Sequence, residues 1–330
     1  MKFGPVPLAD AVGGVLAHSV ELPDGRLRKG RVIAAEDLAR IEAAGLRELV
    51  VARLAPGDVG EDDAAARLAR ALVPDPEAAG LRLGKAATGR VNLFSERIGV
   101  IEIDAARIDA VNAIHPMITV ATLRPWARLP SRGMVATIKI ISYAVPGAAL
   151  EAACKAASDA LRLRPVRYGS AQLIETVIGG KPHPDKGRRS VEARLTRMGV
   201  EPTQGAEVPH DSAALAAAIA ASPAEVVLIL TGSATSDLHD TAPEALRAAG
   251  GTVTHFGMPV DPGNLLFFGE IGGKPVIGLP GCARSPALNG ADWVLERILC
   301  GVEVTSRDIM GMGVGGLLKE PPSRPRPREG

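Results

Sequence analysis

Aromatic side chains are scarce in this chain of 330 residues: five Phe, two Tyr and two Trp, 3% of the total. So few rings exclude a stacking platform for single-stranded nucleic acid. Excess charge is also lacking, with 38 Lys and Arg set against 37 Asp and Glu for a net charge of +1. Without a basic block, a nucleic-acid reading has no electrostatic support. The three cysteines, Cys154, Cys282 and Cys300, are odd in number, widely spaced and free of any C-x-x-C pairing. That argues against a disulfide framework and against a zinc site. No apolar run approaches the roughly 18 residues of a membrane span, and the opening MKFGPVPLAD has no apolar signal core. The expectation is a cytoplasmic protein, with length enough for two or three domains of about 100–150 residues.

What is present centres on residues 226–245, VVLILTGSATSDLHDTAPEA. The apolar run Val226 to Leu230 reads as a buried parallel strand. It breaks into the small-residue turn Thr231-Gly232-Ser233-Ala234-Thr235, the kind of place where an open α/β sheet binds ligands. A helical pattern follows Asp240 and Thr241, either of which suits the N-cap, so the helix start would offer amides and a positive dipole end to an anion. KPVIGLPGCARSPAL at 274–288 repeats the plan. A short strand runs through Pro280-Gly281 into a turn with Cys282 and one cation, Arg284, and the start signals Ser285-Pro286 predict a helix there. Between them the Pro/Gly-rich 255–264 is a loop. Two strand-to-helix turns and a loop can converge on one phosphate-bearing ligand.

Along the chain, residues 5–60 read as short strands with a helix over about 35–44 and a strand near 48–53, and an alanine-rich helix spans 61–72. Residues 87–145 have β character at 100–103, 118–123 and 135–142, with a helix near 105–113. Pro146-Gly147 marks a hinge before a helix over about 148–161. From Pro165 strands and helices alternate: 166–174, 187–199, 213–221, 225–230, 242–249, 276–279 and 286–300. Such alternation predicts a mostly parallel sheet with helices on both faces, an α/β fold of three layers preceded by smaller mixed α/β and β-rich units. The corresponding segments are 1–75, 76–147, 148–302 and a Pro/Arg extension over 303–330. The GMGVGG run at 311–316 matches a dinucleotide fingerprint literally but follows no strand and opens no helix, so it fails its context.

The motifs now quoted resemble a known family. TG…HD…PEA at 231–245 is similar to the TGGTG…RD…TPEA signature of the molybdopterin-binding domain of molybdopterin adenylyltransferases and molybdenum insertases. MPVDPGN (258–264) and LPGCARS (279–285) resemble the insertase's PGKP loop and LPGNPVS turn, and Pro209-His210-Asp211 its PDD-type segment. The likeness covers about 165–302 and, more weakly, 5–60. It is to the insertase-like half of bacterial two-part proteins that carry a molybdenum cofactor cytidylyltransferase domain behind it, and PPSRPRPREG then reads as a linker stub. The sequence departs from the pattern where Ser233-Ala234-Thr235-Ser236 replaces a Gly-Gly-Thr-Gly turn. It departs again at His239, which replaces an arginine, at Asn264, which replaces a cation, and at Cys282-Ala283, which replaces Asn-Pro.

The resemblance implies a ligand, molybdopterin or its adenylylated form, held by Thr231, Gly232, Ser233, Ala234, Thr235, His239, Pro262, Gly263, Asn264, Pro280, Gly281, Cys282, Arg284 and Ser285. It implies catalytic carboxylates at Asp240 and Asp211, with Asp240 holding Mg²⁺ beside a phosphate. Each has a plainer alternative: Asp240 and Asp211 as helix caps, His239 as an exposed turn residue, Cys282 as a buried filler. Arg284 suits phosphate because its planar fork matches phosphate oxygens. The basic stretch Lys181 to Lys186 with Arg188-Arg189 takes a lid position or is a solvated loop. Two functions stay open: a molybdotransferase-like enzyme that inserts molybdate with Mg²⁺, or a non-catalytic carrier and specificity module for a partner cytidylyltransferase. A homodimer, with no nucleic acid and no membrane, completes the expectation.

Overall fold

The computed structural model describes residues 1–179 and 185–318. They form two compact units, one of residues 1–96, 101–125 and 132–163, the other of 97–100, 126–131 and the chain from Arg164 onward. No helix among the described residues is long and apolar enough to cross a membrane.

In the first unit, Lys2–Pro7, Glu48–Arg53 and Val15–Leu16 form an antiparallel sheet with Glu48–Arg53 at its centre. Val6, Leu16, Ile41 and Val51 close a small core beneath it, with Ile41 contributed by the helix Ala35–Ala43. A hairpin of Val20–Leu22 and Gly25–Leu27 turns at Pro23-Asp24. The same unit holds a four-stranded antiparallel sheet of Ile118–Thr122, Met134–Ile140, Arg90–Ser95 and Leu81–Leu83, in that order. The helices Glu61–Leu72, Ala105–Ile114 and Gly147–Ala157 belong to it as well.

The second unit is built on one sheet. Its strands are β1 (Ser170–Val177), β2 (Glu201–Pro202), β3 (Ala206–Pro209), β4 (Val226–Leu230), β5 (Thr252–Phe256), β6 (Phe267–Ile271) and β7 (Lys274–Gly278). Their order is β2-β1-β4-β7-β6-β5, with β3 pairing β1 further along. β1 runs parallel to β2, β3 and β4, and β4 parallel to β7; only the β7-β6-β5 end is antiparallel. The helices are α1 (Lys186–Arg197), α2 (Ser212–Ala221), α3 (Thr241–Ala248) and α4 (Gly290–Leu299).

The three layers follow from the period of the central strand. Side chains of a strand alternate between faces. Val226, Leu228 and Leu230 accordingly pack with Val191 and Leu195 of α1 and Val294, Leu295 and Ile298 of α4. Val227 and Ile229 pack on the opposite face with Leu215 and Ile219 of α2 and Ala245 and Leu246 of α3. All five residues of β4 are buried, the mark of a parallel strand covered on both faces. The expected α/β fold of three layers is therefore present.

Two local expectations are corrected. The strand read at 166–174 lies at 170–177, because Glu175 and Thr176, although polar, stay in register with Leu230 and Val208. The helix expected from Ser285-Pro286 starts at Gly290 instead. Gly281–Arg284 is a short 3₁₀ turn, and Asn289 with Asp292 supplies a reciprocal cap at the later start.

Candidate functional site

The carboxyl ends of β1, β4 and β7 lie next to one another, because β4 pairs β1 on one side and β7 on the other. Open α/β sheets place ligands in that position. From the turn after β7, Arg284 donates from Nη2 to the Thr231 carbonyl at 3.0 Å. Its Nη1 lies 3.5 Å from Oε1 of Glu175. The turns 231–236 and 280–285 are thereby tied together. Gly187 makes room for this crossing, since a Cβ there would lie 3.0 Å from Nη1 of Arg284.

Glu175 is 2% exposed and is held chiefly by Arg188 in the first turn of α1, whose Nε and Nη2 both lie 2.9 Å from Oε2. Arg188 also reaches Oε1 of Glu207 at 3.1 Å. Beside this cluster, the buried Thr176 hydroxyl accepts the Gly232 amide at 2.9 Å and sits 2.8 Å from Nδ1 of His210. His210 lines a cavity of about 370 Å³ with Val177, Ile178, Gly179 and Pro209.

The 231–240 segment folds back on itself. Thr231 Oγ1 donates to the Ser233 carbonyl at 2.6 Å and lies 3.3 Å from Oγ1 of Thr235, while Ser236 Oγ donates to the Ala234 carbonyl at 3.2 Å. Asp240 closes the segment, accepting the Ser236 amide at 2.9 Å and the Thr241 amide at 2.7 Å. The start of α3 is thus already served by the chain's own carboxylate, and of the two candidate caps it is Asp240 that acts. Burial works against the Asp240 charge. The amides of Ser236 and Thr241 and the proximity of His210 outweigh it, so the carboxyl titrates below its ordinary range.

A carboxylate depressed in the folded state contributes stability that is complete above its unfolded value and is lost as pH falls through the folded one. Wild-type protein should therefore lose an increment of thermal stability on acidification below the ordinary value of 3.8 that Asp240→Asn lacks. Parallel acid limbs for the two proteins would show that the tether carries no charge-dependent stability.

The remaining candidates are held in local contacts of their own. Asp211 is exposed and caps α2, accepting the amides of Ala213 and Ala214 at 3.0 Å each. His239 is exposed and pairs with Glu244 at 2.8 Å, in line with its plainer alternative. Pro262 and Gly263 pack on the start of α4: the Pro262 carbonyl accepts the Gly290 amide at 2.8 Å, and a Cβ on Gly263 would lie 2.8 Å from that nitrogen. Asn264 donates back to the Met258 carbonyl at 3.3 Å. Pro280 is buried, Gly281 exposed and Cys282 half-buried; the Pro280 and Cys282 carbonyls accept the Ala283 and Ser285 amides. The stretch 181–184 of the lid lies outside the described residues, whereas Lys186, Arg188 and Arg189 belong to α1 rather than to a loop.

Sequence reasoning missed Glu175, Thr176 and Arg194. A carboxylate and a hydroxyl set between the apolar pairs Leu173-Ile174 and Val177-Ile178 were the available signal for the first two. Arg194 had none. It is 3% exposed and donates to Asp292, to Ser190 and to the carbonyls of Ala283, Ser285 and Ala287. It fixes the path of the turn that carries Arg284.

Metal chemistry is constrained by the donor set. Both Asp240 oxygens already accept backbone N–H groups, and among the described residues no group of three or more His, Cys, Asp or Glu side chains is placed to hold an ion. Such a set does not make a protein cage for Mg²⁺, which is commonly held by one or two carboxylates together with substrate phosphates.

Residues 175–299 match the model of a family described as a probable molybdopterin binding domain, and residues 5–53 match one described as a domain of unknown function. No curated protein matches the chain. Among solved structures, the chain is similar to a molybdopterin biosynthesis moeA protein from Pyrococcus horikosii at 16% identity and a TM-score of 0.31, covering 94% of this chain and 76% of that one. A second structure of a molybdopterin biosynthesis moeA protein, from Pyrococcus horikoshii OT3, gives 12% identity and a TM-score of 0.23 over 96% and 75%. The protein CinA with unknown function from Thermoplasma acidophilum gives 17% and 0.26 over 36% and 90%.

Proposed function

We propose that this chain, whose residues 175–299 match the model of a probable molybdopterin binding domain, is a molybdenum cofactor biosynthesis protein that holds molybdopterin, or its adenylylated form, at the carboxyl ends of β1, β4 and β7. The observation that carries the reading is Arg284 reaching across to Thr231, which draws both small-residue turns to one place inside the family segment. The cavity beside His210 gives room for a ring system there. Backbone groups of 232–235 and the guanidinium of Arg284 are the polar contacts for the phosphate end.

Of the two roles, the carrier is favoured by one feature: the Asp240 oxygens are spent on Ser236 and Thr241, so the carboxylate acts first as a brace for the loop. Any Mg²⁺ would arrive with the substrate phosphates, and no step is routed through it. Delivery to a cytidylyltransferase, molybdate as co-substrate and a homodimeric assembly belong to the same proposal.

The test is titration of the purified full chain with molybdopterin, then incubation with the adenylylated form, Mg²⁺ and molybdate while AMP is followed. Saturable molybdopterin binding without AMP release is the expected result. AMP release would assign insertase activity instead, and absence of binding by either form would overturn the reading.

A further inference from the structure

Three receptors an anion could use, the start of α3 and two arginines, already face carboxylates of the chain itself. The start of α3 holds Asp240, and the two arginines at the cleft floor face Glu175 and Glu207. Among the described residues, the two guanidinium groups of this cluster are matched by its two carboxylates. Burial makes the balance strict on one side. Glu175 is 2% exposed and depends on Arg188 and Arg284, because a buried carboxylate is costly unless paired. Both arginines are also held against glycines: a Cβ at 187 would lie 3.0 Å from Arg284 Nη1, and one at 205 would lie 3.3 Å from Arg188 Cζ.

We propose that Glu175 is a specificity-determining residue of the cleft: it holds Arg188 and Arg284 in a charge-balanced cluster that rejects small phosphate anions and admits a phosphate only when it is carried on a larger body. A phosphate ion that draws Arg284 away must leave Glu175 with one partner fewer, and it brings no other contact to offset that loss. A phosphate attached to a ring system gains contact area in the neighbouring cavity lined by Val177, Ile178, Pro209 and His210. The inference rests on the molybdopterin reading only for the identity of that body.

Inorganic phosphate is the probe, titrated calorimetrically into the full chain at fixed ionic strength. Glu175→Gln should bind it at least about tenfold more tightly than wild type, since one full negative charge beside two guanidinium groups is removed in a partly desolvated place. Adding Arg284→Ala to Glu175→Gln should reverse most of that gain, a result that mere loosening of the fold does not produce. Glu207→Gln, on an exposed edge where folding is not at stake, should shift affinity in the same direction by about twofold to threefold. Phosphate binding by Glu175→Gln no tighter than wild type, or a gain that survives Arg284→Ala, would overturn the proposal. Should Glu175→Gln fail to fold, an unchanged Glu207→Gln would overturn it as well. Failure of wild type to bind molybdopterin would leave this phosphate series standing, so the two readings fail separately.

Discussion

Arg194→Met should lower the unfolding free energy by about 3–5 kcal/mol, the range for removing one partner of a buried ion pair. Asp292 is 2% exposed, with Oδ1 2.5 Å from Arg194 Nε and Oδ2 accepting the Asn289 amide at 2.9 Å. Without the guanidinium, its nearest remaining cation is Arg197 at 4.0 Å. The carbonyls of Ala283, Ser285 and Ala287 lose their donor in the same step. Leaving buried polar groups unsatisfied is the expensive half of hydrogen-bond energetics. Urea unfolding of wild type, Arg194→Met and the double variant with Asp292→Asn is the measurement. The double variant should recover part of the loss because the uncompensated charge is gone. A single variant as stable as wild type would mean that the 281–287 turn holds its path unaided, and Arg194 would then be no more than filler.

Gly278→Ala should cost about 1–3 kcal/mol or more, as overpacking of a filled interior does. A Cβ at 278 would lie 1.8 Å from Cε1 of Phe267 and 2.6 Å from its Cζ. Phe267 is directly opposite in the β6–β7 pairing and is 1% exposed, so the ring has nowhere to retreat. The effect reaches the cleft, because Gly278 ends the strand that leads through Pro280 into the turn of Arg284. Phe267→Leu should restore stability to the Gly278→Ala chain even though it weakens the wild type. If thermal unfolding shows the double variant less stable than Gly278→Ala alone, the clash is not with this ring.

The sheet was legible because its signals are local. Five consecutive apolar residues at Val226 to Leu230, followed by small residues, predict a strand buried on both faces and a turn at its end. The caps at Asp211 and Asp240 were legible for the same reason, as each bonds amides one to four residues away. The cleft floor was not. Glu175 and Thr176 look like the end of a strand when polarity is read along the chain, yet pairing with β3 and β4 carries the strand through both. Arg194 and Asp292 are 98 residues apart, and nothing in either neighbourhood announces the other. Arg188 sits in a stretch that reads as a solvated basic loop, and only its meeting with a buried carboxylate distinguishes it from Arg189. Interactions that join distant segments through one charge leave no periodic trace, which is why the sequence located the turns but not the charge balance beneath them.

The full burial of β4 between two paired neighbours has a kinetic side. Amides in such a strand exchange with solvent only when the unit opens as a whole, so Val226–Leu230 should be among the slowest-exchanging segments of the chain. Both turns of the cleft spring from this strand or from its partner β7, and their roots therefore stay fixed on the timescale of ligand exchange. Among the described residues, side-chain rotation is one motion that such fixed roots still allow, above all Arg284 turning between Glu175 and an incoming anion. Rotamer changes of partly exposed side chains take picoseconds to nanoseconds. For the described residues, the roots of the two turns would then add no slow step to association, which encounter and desolvation would govern.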